Sequence, residues 1–102
     1  MAVIYEVTVC VPAAFADDYL HWLRTHIDQM LALPGFEEAA LEALLADLAD
    51  DECGWCVRYR LRDRRALDDY LREHAPHMRA DGLARFGDRL RASRRVLEPL
   101  RR

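Results

Sequence analysis

Lysine is absent from this 102-residue sequence, serine occurs once, and no uninterrupted apolar run approaches the ~18 residues that a membrane-spanning helix needs. The last of these leaves no segment to cross a membrane as a helix, and no membrane partner is expected. The lone serine, Ser93, stands in no nucleophile elbow, and no glycine-rich phosphate loop is present. Activated-serine hydrolysis and nucleotide-phosphate binding therefore have no basis in the sequence. The opening stretch, Met1 to Val11, lacks the basic region and small-residue cleavage site of an export signal, so the expected location is cytoplasmic. Three cysteines, Cys10, Cys53 and Cys56, are an odd number and fit reduced thiols rather than a disulfide framework.

What is present is arginine. Residues 1 to 54 hold eleven Asp/Glu and one Arg, Arg24, whereas residues 55 to 102 hold fourteen Arg and seven Asp/Glu, so the net charge of -3 divides into -10 and +7. Arginine is planar and always charged, which suits bidentate contacts to carboxylate or phosphate. Nucleic acid is not expected as a partner, because the acidic first half opposes it. At 52% hydrophobic the chain has apolar material for one core, and residues 1–102 are read as a single domain. A domain this short buries only about 60 to 65% of the surface its unfolded chain exposes, so a second copy covering a sheet face would add much burial.

Along the chain, residues 3 to 11 alternate, with Val3, Tyr5, Val7, Val9 and Val11 on one face and Ile4, Glu6, Thr8 and Cys10 on the other, which predicts a strand. From Ala13 to Leu33, the apolar residues Phe15, Tyr19, Trp22, Leu23, Ile27, Met30 and Leu31 recur at helical spacing. Leu33-Pro34-Gly35 ends that helix. Residues 36 to 49 are strong helix formers, with Leu41, Leu44, Leu45 and Leu48 at i, i+3, i+4, i+7. Residues 50 to 54 read as a turn, and Trp55 to Leu61 as a second alternating strand. Asp63 is placed to cap a helix from Arg64 to His74, Pro76 breaks it before a short helix ending near Gly87, and Arg89 to Leu97 reads as a last strand. With residues 36 to 49 taken as a strand, the order is βαββαβ, the α+β, ferredoxin-like arrangement of a four-stranded antiparallel sheet with helices on one face.

Several segments taken together, Ile4-Tyr5, Trp22 with His26, Glu73-His74-Ala75-Pro76, Arg85-Phe86-Gly87-Asp88 and Arg94 to Glu98, resemble a bacterial family classed as domain of unknown function 4286, in the dimeric α/β-barrel group. The resemblance runs almost end to end. It implies a homodimer in which the bare sheet faces of two ferredoxin-like protomers close into a barrel. It also implies that roughly residues 37 to 48 form a strand against their local propensity. It implies no activity, since the wider group mixes cofactor-free monooxygenases, haem-degrading enzymes, muconolactone isomerase-like proteins and proteins that only bind small molecules, and membership does not fix chemistry.

Two constellations carry the functional expectations. His26 and His74 lie in the apolar stripes of the two helices and are the candidates for proton transfer, with Trp22 and Tyr5 as ligand-binding residues lining a cavity, as in a cofactor-independent monooxygenase- or isomerase-like enzyme. Glu6, Thr8 and Cys10 should neighbour Arg58, Arg60 and Arg62 on the sheet face away from the helices. Glu6, Arg58 and Arg60 are then candidates for holding a small anionic molecule between the sheets of a homodimer. The alternative for that face is mutual neutralisation of its charges, and a structural or protein-interaction role is the third reading. His74 and His77 straddle Pro76 without a completing carboxylate, so no metal is expected. Cys53-Gly54-Trp55-Cys56 precedes a strand rather than a helix, which withholds the dipole that a redox pair uses. No cofactor is expected.

Overall fold

The computed structural model describes residues 1–102. Strand β1 (Val3–Pro12) is followed by a 3-10 turn and helix α1 (Ala16–Leu31), strands β2 (Phe36–Ala43) and β3 (Glu52–Leu61), helices α2 (Arg64–Glu73) and α3 (Ala75–Phe86), a second 3-10 turn, and strand β4 (Arg91–Leu97). The sheet order is β2-β3-β1-β4, with every neighbouring pair antiparallel. This is the ferredoxin-like βαββαβ arrangement with its second helix divided in two.

Alternation in β1 and β3 sets the two faces. Tyr5 lies opposite Tyr59, Val7 opposite Val57 and Val9 opposite Trp55. These side chains join Tyr19, Leu23, Ile27 and Met30 of α1 and Ala66, Leu67 and Tyr70 of α2 in one buried cluster. The intervening residues, with Glu6 opposite both Arg58 and Arg95, point to the other face. The Asp63 carboxylate accepts the Ala66 N–H at 2.8 Å and starts α2, while Pro76 occupies the first turn of α3, where its missing N–H costs nothing.

Residues 36 to 43 form a strand although their composition favours helix. Phe36 packs edge-on against Tyr59 and Tyr70 at 5.6 and 5.1 Å, and Ala39 and Leu41 lie on the core. Tertiary pairing with β3 outweighs a local preference of a few tenths of a kcal/mol per residue.

The expected strand to residue 48 is corrected at Ala43. Beyond it the chain turns, with Asp47 at φ +61°, and Leu44 and Leu48 fold onto Gly54, where a Cβ would stand 2.7 and 2.9 Å from their methyl groups. The expected turn at 50 to 54 is also shorter than read. Strand β3 begins at Glu52, because Cys53 and Gly54 still pair with Val11 and Cys10.

Helices α1 and α2 pack on β1, β2 and β3, leaving edge strand β4 exposed from Arg91 to Val96. No helix is long and apolar enough to cross a membrane.

Candidate functional site

Because no helix lies squarely over β4, the helix layer and the sheet do not close on that side. The result is a cavity of about 240 Å³ between α1, α3, β1 and β4. Tyr5, Val7 and Val9 form its floor, Ala92 and Arg94 its β4 side, Leu23 and Met30 its depth, and Trp22 and His26 one wall. Helix α3 supplies the opposite rim through Met78, Arg79, Gly82 and Leu83.

Trp22 organises this wall. Its indole N–H donates to Asp81 at 2.9 Å, and its ring stacks on the His26 imidazole at 4.6 Å and 17°. Gly82 lets α3 approach, since a Cβ there would stand 3.0 Å from the indole. The Nδ1 atom of His26 is buried without a hydrogen-bond partner. Burial holds the His26 pKa below its ordinary 6.5, and the Asp81 carboxylate opposes that only in part, so the imidazole is neutral at neutral pH.

The floor is phenolic. Tyr5 stacks with Tyr59 at a centroid separation of 6.3 Å and meets Tyr70 tilted by 59° at 5.7 Å, and its hydroxyl accepts a hydrogen bond from Arg79 at 3.0 Å. Burial pushes the Tyr70 phenol up to about 12, against the pull of the Arg79 and Arg94 guanidinium groups. Burial likewise raises Tyr19 and Tyr59. These hydroxyls stay protonated, as donors.

The opposite sheet face has a different character. The Glu6 carboxylate, only 7% exposed, is gripped by Arg58 at 2.9 Å and by Arg95 at 2.7 Å. Arg60 reaches Glu37 at 3.6 Å, and Arg91 reaches Glu52 at 2.8 Å. Burial raises the Cys10 and Cys56 thiols. Cys53 and Cys56, three residues apart on one strand, point to opposite faces and cannot act as a pair. No group of three or more His, Cys, Asp or Glu side chains converges as a metal site would require.

The residues singled out in the sequence thus separate. Tyr5, Trp22 and His26 meet in the cavity, and Glu6, Arg58 and Arg60 lie on the far face among their own ion pairs. His74 sits half-buried at the α2–α3 junction, where its backbone N–H donates to the Tyr70 carbonyl, and it does not line the cavity. The sequence reading missed Arg79, Arg94 and, beside Tyr5, the phenols of Tyr59 and Tyr70. Pairing β4 beside β1 places Arg94 opposite Val7, on the same face as Tyr5, and that alternation was the available signal.

The family described as "Domain of unknown function (DUF4286)" matches residues 2–100. No curated protein matches in sequence. Among solved structures, the chain is similar to a putative antibiotic biosynthesis monooxygenase from Deinococcus radiodurans, with TM-score 0.73, 13% identity, and 98% and 94% of the two chains covered. It is also similar to a mutant of SnoaB, a cofactor-independent oxygenase from Streptomyces nogalater, with TM-score 0.68, 16% identity, and coverage of 99% and 95%. A de novo designed protein shares the architecture at TM-score 0.65 and 11% identity, covering 98% and 100%. At these identities the likeness is one of fold, and a fold that a designed chain also adopts carries no chemistry by itself.

Proposed function

The chain belongs to the DUF4286 family, and from that premise we propose that it is a small-molecule-binding protein whose site is the aromatic cavity between α1, α3 and the sheet. The observation that carries this is the Trp22–His26 wall, an indole and an imidazole stacked at 4.6 Å that line, beside Tyr5, an otherwise largely apolar cavity. Flat aromatic walls favour a flat ligand. The volume falls just under the ~300 Å³ where drug-sized sites begin, which suits one or two fused rings.

The polar sheet face around Glu6, where no helix packs, is read as the contact with a second copy of this chain, giving a homodimer with one cavity per protomer. The protein is read as a single domain working in the cytoplasm.

The test uses naphthalenemethanol, an uncharged two-ring probe. Saturating probe should raise the melting temperature by several degrees, since binding to the folded state alone at about a hundred times Kd adds about 2.7 kcal/mol. It should also perturb Trp22 fluorescence, a change that Trp22→Phe removes. An unmoved melting temperature up to the solubility limit of the probe would count against the cavity as a site.

A second reading rests on the same imidazole. His26, which lines the cavity and is held neutral by burial, is equipped to take a proton from an acidic C–H of a bound ligand, as a cofactor-independent oxygenase or isomerase would require. Its expected mark is hydrogen–deuterium exchange at the acidic carbon of a two-ring ketone such as tetralone, lost in His26→Ala. The lowered pKa sets the sign. The neutral base persists above 6.5 and on below it, so the rate is flat above 6.5 and falls only at lower pH. Exchange at an equal rate in His26→Ala would remove this reading and leave the binding role intact.

A further inference from the structure

We propose that the ligand of this cavity is an anionic ring compound, an aromatic or fused-ring carboxylate, whose acid group is held between Arg79 and Arg94 while its rings lie against Trp22 and His26. This rests on the cavity being a binding site and names the class of molecule it selects.

The charge distribution over the sheet is the reason. On the far face each of Arg58, Arg60, Arg91 and Arg95 is matched by a carboxylate of the chain itself. The cavity reverses that pattern, because two arginines line it and no carboxylate does. Arg94 makes no ion pair, and the one side-chain bond of Arg79 is to the neutral Tyr5 hydroxyl. Asp81, the nearest acid on α3, is engaged by the Trp22 indole.

Both arginines line the cavity although they come from different elements, Arg94 on β4 opposite Val7 and Arg79 on α3 bonded to the Tyr5 hydroxyl, and the charges of both act on the Tyr70 phenol. An acid group placed there would meet two planar donors and, in Tyr70, a protonated hydroxyl able to donate. Arginine's paired N–H groups match a carboxylate's two oxygens. Most of the remaining lining is apolar, so the charge fixes the orientation of the ligand.

The experiment compares naphthoate, naphthalenemethanol and naphthylmethylammonium, matched in ring size and differing in charge, by titration calorimetry on the full chain. Naphthoate should bind at least tenfold more tightly than the alcohol, with the cation weakest, and its advantage should shrink as salt is raised. Arg79→Gln and Arg94→Gln should each lower naphthoate affinity severalfold, and together bring it to the level of the alcohol, whose own affinity should not change. Both side chains are exposed, so the variants should keep the wild-type melting temperature. Equal binding of naphthoate and alcohol, or a preference for the acid that survives in the double variant, would overturn the assignment while the cavity remains a site. Failure of all three probes to bind would remove the cavity reading and this inference with it.

Discussion

Glu6→Ala should destabilise the protein by about 2 kcal/mol in chemical denaturation at neutral pH, more than any other single charge removal on the sheet. Its carboxylate is almost wholly buried and holds two arginines at once, Arg58 at 2.9 Å and Arg95 at 2.7 Å. Removing one partner of a buried ion pair commonly costs about 3 to 5 kcal/mol, because the remaining charge is left uncompensated. Here the arginine side chains are 44% and 68% exposed, so water recovers part of that loss and the lower figure applies. The effect should be specific to the cluster. Arg58→Ala should cost less in a Glu6→Ala background than in wild type, the non-additivity expected of residues in one network. If this face meets a second copy, Glu6→Ala should also weaken self-association, so protein concentration is held fixed in the comparison. A change in stability below about 0.5 kcal/mol would place Glu6 among ordinary surface charges.

Gly35→Ala is the second large effect, expected at about 3 kcal/mol from two causes that can be separated. Gly35 adopts φ +84° between α1 and β2, a conformation that costs a residue with a Cβ about 1 to 2 kcal/mol. A Cβ at this position would also stand 2.4 Å from the Ala66 Cβ, in the first turn of α2. Neither group has a rotamer by which to escape, so the overlap must be relieved by backbone movement, and overpacking of this kind typically costs about 1 to 3 kcal/mol. The backbone there is also committed, since the Gly35 carbonyl accepts the Arg62 N–H at 2.8 Å. In Gly35→Ala with Ala66→Gly the overlap disappears, leaving the φ cost and the cost of the Ala66→Gly change in α2, so the double variant should be more stable than the sum of the single changes. Strict additivity would show that the close approach to α2 carries no energy.

The strands with clean alternation, β1 and most of β3, were legible residue by residue, because period two assigns each side chain to a face without any knowledge of neighbours. The same holds for α1, with its buried stripe of Tyr19, Leu23, Ile27 and Met30, and for the Asp63 cap of α2. Strand β2 was not legible in its own residues. Its composition asks for a helix, and only pairing with β3 and the seating of Phe36 between Tyr59 and Tyr70 decide otherwise. The leucines beyond it mislead for a related reason, since Leu44 and Leu48 have helical spacing but serve to cover Gly54.

The candidate site was half legible. Tyr5, Trp22 and His26 come from patterns on single elements. The arginine-rich face drew attention because charge is visible in a sequence, whereas the carboxylates that occupy it, Glu6 and Glu37, become partners only in the folded sheet. Open volume has no local signature at all. It arises here because two helices cover three strands and leave β4 bare, so Arg79 and Arg94, the residues that give the cavity its charge, belong to elements whose relation is purely tertiary.

The measurement that bears most directly on a ligand site between α1, α3 and the sheet is a nitrogen–proton correlation spectrum of the labelled protein, recorded as naphthoate is added. The Trp22 indole N–H, which donates to Asp81 at the edge of the cavity, should move, together with the amides of Gly82 and Ala92 and the Nε–H groups of Arg79 and Arg94. The Nε–H groups of Arg58 and Arg95 and the amide of Cys56, on the far face, should stay where they are. Movement of the far-face signals with the Trp22 indole unchanged would contradict the account and return the site to the arginines around Glu6.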